Sequence, residues 1–215
     1  MIKLDILSDP ICPWCYIGKR NLDRALEARP DHPFAIEWHP FQLNPDMPRD
    51  GMDRRAYLEQ KFGGPENAVN VYARIAKAAS GVGLDLNLEG IARTPNTIDA
   101  HRLIHWAGLE GRQTAAVSSL FRSYFEDAQD IGSQEVLLDI ADKIGMDRAM
   151  TERLFQSDAD VDDIETRDRH GRERGVTGVP TFVVASQHVV VGAQPTELWL
   201  NVIDELSGQV AEPEE

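Results

Sequence analysis

Apolar residues change their spacing twice along this chain. Ile2-Lys3-Leu4-Asp5-Ile6-Leu7 is a short, mostly apolar run and predicts a first strand, broken by Ser8-Asp9-Pro10. The spacing then lengthens to three and four residues through Tyr16, Ile17, Leu22, Ala25 and Leu26, which predicts a helix. Pro13 suits the first helical position, where its missing N–H costs nothing, and Arg29-Pro30-Asp31 ends the helix. Phe34-Ala35-Ile36-Glu37-Trp38 alternates and predicts a second strand, closing a βαβ unit.

Asn44-Pro45-Asp46-Met47-Pro48 is a turn-rich break, and beyond it the pattern is almost wholly helical. Helices are predicted over 54–62, 67–79, 97–109, 114–127, 134–144, 148–155 and 162–174. The stops between them are Gly63-Gly64-Pro65, Gly81-Val82-Gly83, Gly111, Gly132 and Gly145. Strand character returns in Thr181-Phe182-Val183-Val184 and His188-Val189-Val190-Val191, joined by a short Ala-Ser-Gln link that suits a hairpin. Gly192-Ala193-Gln194-Pro195 follows, then a final helix near 196–206 and a Glu/Pro tail at 212–215 that is expected to fray. The expected fold class is α/β, ordered βαβ, helical block, ββα. One small mixed sheet is built from 1–45 and 175–210, and an all-helical domain, 46–174, is inserted into it. There is no internal repeat.

The chain has 215 residues and a formal charge of −14. That charge argues against nucleic acid, because phosphate binding needs clustered Lys and Arg, and against an anionic membrane surface. No apolar stretch approaches the roughly 20 residues of a membrane span. The first strand starts at Ile2 with no basic segment or long apolar segment before it, so the expected location is cytoplasmic. In that compartment a cysteine pair is more often catalytic or metal-binding than a structural staple.

The chain has two cysteines, Cys12 and Cys15, in Cys12-Pro13-Trp14-Cys15. A strand that delivers C-x-x-C to the first turn of a helix is the working end of a thiol–disulfide oxidoreductase. Unpaired N–H groups and the positive end of the helix dipole favour thiolate at Cys12, the expected nucleophile. Cys15 lies one turn on and is the expected resolving thiol. Pro13 and Trp14 carry no charge, and Trp14 is expected in an apolar platform beside the sulfurs. Pro180, in Gly178-Val179-Pro180-Thr181, stands just before a strand, where a cis peptide can be locked. There Val179 would offer its backbone to an extended substrate. Asp5, and less directly Glu37, are candidate acids for moving the Cys15 proton; the competing reading is an exposed strand residue.

His101 and His105 stand at i, i+4, and with the two cysteines they make a Cys2His2 count. The pairs are too far apart in sequence for a compact finger, so no metal is expected. His101 is expected to cap or pack, or to line a cleft between the two parts as a substrate-binding residue. There is no P-loop or dinucleotide fingerprint, so no bound cofactor is expected and electrons come from another dithiol or glutathione.

Several stretches together resemble the DsbA-like branch of the thioredoxin superfamily, in particular its FrnE-type oxidoreductases. They are Ser8–Cys15, Trp38-His39-Pro40-Phe41-Gln42-Leu43-Asn44-Pro45, Asn96–Arg102, Gly175-Val176-Thr177-Gly178-Val179-Pro180 and Gly192–Pro195. The resemblance implies a thioredoxin-like fold with a helical insertion, Cys12 as nucleophile, Cys15 as resolving residue and Pro180 as cis proline. Similar families, the 2-hydroxychromene-2-carboxylate isomerases and kappa-class glutathione transferases, place serine where Cys12 sits. Trp14 between the cysteines, where the periplasmic members of the family carry histidine, argues against a strongly oxidising role.

The leading function is therefore a thiol–disulfide oxidoreductase/isomerase acting on disulfides or dithiols of proteins or small molecules, with glutathione admitted as redox partner. The alternatives are a glutathione-dependent isomerase or transferase and a non-enzymatic zinc-bound or chaperone-like module. Relatives of this type include dimers, so a homodimer stays open, and the physiological substrate is not readable.

Overall fold

The computed structural model describes residues 1–211; the tail at 212–215 lies outside the described residues. Strand β1 (Ile2–Ser8), helix α1 (Pro13–Ala28) and strand β2 (Phe34–Pro40) form the expected βαβ unit. The two strands are parallel, in register from Ile2 opposite Phe34 to Ser8 opposite Pro40. Strands β5 (Thr181–Val184) and β6 (His188–Val191) form the hairpin, and β5 lies antiparallel to β1. The sheet order is β2-β1-β5-β6, and helix α9 (Thr196–Ala211) closes the chain against α1.

Alternation along the strands decides what each face does. Leu4 and Ile6 of β1 and Phe182 and Val184 of β5 are buried. Phe182 meets the buried Trp199 of α9 edge-on, with ring centroids 4.7 Å apart. Burying an aromatic or large aliphatic side chain stabilises by about 1.5–3 kcal/mol before entropy is counted, so this face anchors the sheet. Lys3, Asp5 and Leu7 point the other way, where Leu7 lies under Gly171.

Between β2 and β5 run α2 (Arg54–Phe62), α3 (Pro65–Gly81), α4 (Ile98–Leu109), α5 (Gln113–Phe125), α6 (Gln134–Lys143), α7 (Arg148–Phe155) and α8 (Val161–Glu173). The Gly63-Gly64-Pro65 stop divides its labour. Gly63 ends α2 in the left-handed conformation at φ 73°, and Pro65 opens α3 rather than lying outside it. The expected helices omit a small ladder, β3 (Met52–Asp53) with β4 (Arg93–Thr94), because two residues carry no readable period.

The helices share one continuous core with the sheet, from Leu4 and Ile6 through Leu103 and Phe121 to Ile140. Polar contacts stitch them together. Gln113 of α5 mimics a strand residue at the outer edge of β2: its Oε1 accepts from Trp38 N at 2.8 Å and its Nε2 donates to Trp38 O at 3.0 Å. Asp168 of α8 accepts from Gln42 N at 2.7 Å, and Arg172 donates to the Gln42 carbonyl.

Gly18 of α1 lets the loop before β5 close on the helix. A Cβ there would lie 3.1 Å from Pro180 Cγ and 3.3 Å from Ala193 Cα. Gly18→Val is therefore expected to cost about 1–3 kcal/mol through overpacking and to move Pro180 off the first turn of α1. Urea unfolding and the rate of Cys12 alkylation, measured on one preparation, check both effects; unchanged stability refutes the close contact.

Candidate active site

The thiols sit where β1 hands over to α1. Cys12 is the N-cap of α1, in extended conformation, with Pro13 opening the helix and no side chain capping it. The turn is tightened by Cys12 N donating to Asp9 O at 2.9 Å, and by Cys15 N and Tyr16 N donating to Cys12 O at 3.1 and 3.2 Å. The first turn holds no acidic residue, so its unpaired N–H groups and the helix dipole act on the Cys12 sulfur without opposition. Cys12 and Cys15 are free thiols 3.4 Å apart, with 3% and 1% of their surfaces exposed. The Cys12 thiol donates to the Val179 carbonyl at 3.6 Å, and the Val179–Pro180 peptide is cis. Residues far apart in sequence thus meet at one sulfur.

Behind the thiols lies a buried polar cluster. Burial, and then the neighbouring Cys12, push the Cys15 thiol well above its ordinary pKa, while the Ser8 hydroxyl and the Asp9 backbone N–H work weakly against them. Ser8 Oγ is beside that sulfur yet makes no well-formed hydrogen bond. Asp9 is fully buried. Its Oδ2 accepts from Leu43 N at 2.7 Å and its Oδ1 from Ile11 N at 3.4 Å. Burial outweighs these bonds and raises its pKa to about 7. His101 Nε2 lies 3.8 Å from Asp9 Oδ1 and has no hydrogen-bond partner; burial lowers the His101 pKa to about 4.

Val179 meets the Cys12 sulfur through its carbonyl, Pro180 follows it across the cis bond and packs on Gly18, and Pro13 opens the helix that Cys12 caps. Trp14 is half-buried and opens on a groove of about 670 Å³ with Ile17, Arg74, Lys77 and Pro195. Of the two expectations for His101, the structure shows the packing one and corrects the cleft-lining one. His101 is 3% exposed and turned toward Asp9, so it offers no surface to a substrate in a cleft. His105 faces Arg167 instead, so the two histidines of one helix point to different surroundings and do not assemble a site with the thiols.

Asp5 is likewise not behind the thiols. Alternation places it on the opposite sheet face, where its carboxylate meets His39 Nε2 at 2.6 Å and Lys3 Nζ at 2.9 Å. Glu37 joins there, 3.0 Å from Lys3 Nζ. Asp5, Glu37 and His39 are the group of metal-type donors within mutual reach among the described residues, and the Lys3 ammonium already bridges both carboxylates. A fully buried acid in the turn that leads to Cys12 is Asp9, whose backbone N–H acts on the Cys15 sulfur and which the sequence presents only as part of a strand-breaking turn. The signal that points to it is its place between the strand end and the thiol.

A family model described as "DSBA-like thioredoxin domain" matches residues 3–204. The chain is 23% identical over 205 residues to the uncharacterized protein YwbO of Bacillus subtilis (strain 168), covering 95% of this chain and 96% of that protein. Among solved structures it is similar to a probable DsbA oxidoreductase from Streptomyces coelicolor, with a TM-score of 0.85, 28% identity, and coverage of 100% of this chain and 93% of that one. A 2-hydroxychromene-2-carboxylate isomerase shares the fold at TM-score 0.72 and 17% identity, over 99% of this chain and 100% of that chain. The cytosolic disulfide reductase DsbM from Pseudomonas aeruginosa, solved with GSH, does so at 0.67 and 19%, over 98% of this chain and 100% of that chain.

Asp9 and His101 pull the pH dependence of stability in opposite directions. The folded Asp9 keeps its proton up to about pH 7 while an unfolded one loses it near pH 4, so its contribution falls as pH rises between the two. His101 has its folded pKa near 4 and its unfolded one near 6.5, so its contribution rises over an overlapping range. Asp9→Asn is expected to make stability climb more steeply from pH 4.5 to 7.5, by at most about 4 kcal/mol. His101→Gln is expected to tilt it the other way. Urea midpoints at the two pH values read both, and parallel profiles for the two variants contradict the assignment.

Proposed function

The chain belongs to the DsbA-like thioredoxin domain family, and from that premise we propose that it is a dithiol–disulfide oxidoreductase/isomerase using Cys12 as nucleophile and Cys15 as resolving thiol. The observation that carries this reading is the 3.4 Å approach of two free thiols, one of which caps an undecorated helix N-terminus. The Cys12 thiolate attacks a substrate disulfide and expels one substrate thiolate. Cys15 then attacks Cys12 Sγ, releases the second and leaves the Cys12–Cys15 disulfide. Reversed, the same steps oxidise a dithiol. Burial keeps Cys15 protonated until that second step, so the two sulfurs act in order.

Pro13, Trp14, Val179 and Pro180 form the substrate-contacting rim. Val179 offers backbone polar groups beside Cys12, to which an extended disulfide-bearing segment adds in the manner of a strand. The inserted helices, residues 46–174, supply the wall behind the thiols. No bound cofactor is required, because electrons enter through another dithiol or glutathione. The DsbM structure solved with GSH makes glutathione a reasonable redox partner to test, and a cytoplasmic location fits that chemistry. Among the described residues no helix is long and apolar enough to cross a membrane.

A second reading, glutathione-dependent isomerisation or transfer, is favoured by the fold shared with the 2-hydroxychromene-2-carboxylate isomerase. Cys15 separates the two, since such chemistry needs one activating group and no resolving thiol.

Equilibration in glutathione redox buffers tests the proposal. One intramolecular disulfide is expected. With no charged residue between the cysteines, its potential should lie nearer thioredoxin's, about −270 mV, than DsbA's, about −120 mV. Cys12→Ser should abolish disulfide turnover, and Cys15→Ser should accumulate a mixed disulfide on Cys12. Turnover that survives Cys15→Ser, with no intramolecular disulfide at any poise, transfers the assignment to the isomerase class.

A further inference from the structure

On the face of the sheet turned away from α1 lies a groove that neither thiol lines. Strand alternation builds its floor. Leu7 of β1 stands opposite Thr181 of β5, and Thr181 opposite Val191 of β6. Asp5, Val183 and Val189 form the next row in the same way. Ile6 and Phe182, between these rows, are buried on the other face. One wall is the end of α8 with Arg167, His170 and Arg174, and the segment 175–178 continues it; the enclosed volume is about 900 Å³. Ligand pockets fall in this size range.

Helix α8 shields only the β1 side of the floor. Gly171 presses on Leu7, where a Cβ would meet Leu7 Cδ2 at 2.9 Å, and the helix ends at Glu173. Beyond it Val189 and Val191 stay 63% and 61% exposed. Neighbouring apolar side chains left open on a concave surface mark a binding site, where singly scattered ones do not.

The charge of the groove is opposite to that of the chain. The protein carries 36 Asp and Glu against 22 Lys and Arg. Yet Lys3, Arg167 and Arg174, with His39 and His170, line the groove against the carboxylate of Asp5. That carboxylate is already met, by His39 Nε2 at 2.6 Å and Lys3 Nζ at 2.9 Å. Arg167 is held as well, with its guanidinium 3.2 Å from His105 Nδ1 and 3.3 Å from His39 Nδ1. Arg174 and His170 are exposed, and their side chains have no hydrogen bond or ion pair among the described residues. The negative end of the α8 dipole attracts a cation by itself, which accounts for a basic residue there. It does not account for the open valines beside it. A ligand with one negative charge and an apolar body uses both features.

The floor limits the size of that body. Strands lie about 4.8 Å apart, and residues two apart on a strand are separated by about 6.8 Å, so three strands and two rows span about 10 Å by 7 Å. Such a floor seats a ring system or a short chain rather than a long lipid tail.

We propose that this groove binds small amphiphilic organic anions, with the apolar body on Leu7, Val183, Val189 and Val191 and the carboxylate or sulfonate met by Arg174, with His170 beside it. Binding is non-covalent and does not rest on the redox reading. Segment 175–178 lies between the groove and Val179, whose carbonyl meets Cys12, so the site and the thiols share one loop but no side chain.

Anilinonaphthalene sulfonate, an apolar anion that fluoresces on leaving water, is the probe. The full chain should bind it saturably, octanoate should displace it, and octyltrimethylammonium should not. Arg174→Glu and Val189→Asp change exposed side chains, so both variants should keep the native circular dichroism. Each should weaken the dye at least about fivefold. Val69→Asp, in the separate groove of α2 and α3, should leave it unchanged. The proposal is overturned by absent dye binding, by equal displacement with the cation, or by a loss confined to Val69→Asp. It is also overturned if octanoate does not compete and Val189→Asp turns a dimer into a monomer in sedimentation, because a second copy then covers the groove. Disulfide turnover, read through Cys12→Ser, stands or falls separately from all of these results.

Discussion

The carboxylate of Asp9 pins together the two turns that leave the adjacent ends of β1 and β2. One oxygen accepts from Ile11 in the turn that leads to the thiols, and the other from Leu43 in the segment that leads into the helical block. Phe41 N donates to Ser8 O at 3.1 Å and extends the same seam. A buried carboxylate is costly unless its lone pairs are met, and backbone N–H groups can meet them only if both turns keep these shapes. The position of Cys12 at the start of α1, and of the insert relative to the sheet, both follow from that demand.

The strand that feeds the site separates two kinds of chemistry by alternation alone. On one face Leu4 and Ile6 are sealed under α1 and α9, with Ser8 continuing the row to the thiols. On the other, Lys3, Asp5, Glu37 and His39 form a partly solvated charge cluster. Moving any of these residues by one position would exchange the faces. The cluster lies outside the site for that reason.

The inserted helices do more than cover the sheet. Gln113 occupies the hydrogen-bonding groups of Trp38 at the edge of β2, which blocks a second chain from adding there. Helix α4 carries His101 into the space behind Ser8, so that interior belongs jointly to the sheet and the insert. The chain therefore keeps its two thiols at a boundary. The Cys12 side looks toward the Val179 backbone, and the Cys15 side looks into a sealed polar interior.

Local patterns were enough for most of the architecture. A short apolar run marked β1, alternation marked β2, β-rich stretches marked β5 and β6, and the three- and four-residue spacing marked the helices to within a few residues, because burial imposes these patterns locally. The spacing of Cys12 and Cys15 at a strand–helix junction pointed to two neighbouring thiols for the same local reason, and they lie 3.4 Å apart. Folding alone brought Val179 to Cys12, turned Asp5 away from the thiols and buried Asp9 and His101 against each other. Asp5 and Asp9 are similar acids a few residues apart, and His101 and His105 are similar bases one helical turn apart. Which member of each pair is buried depends on what packs against it from distant parts of the chain, and burial sets their protonation and hence their chemistry.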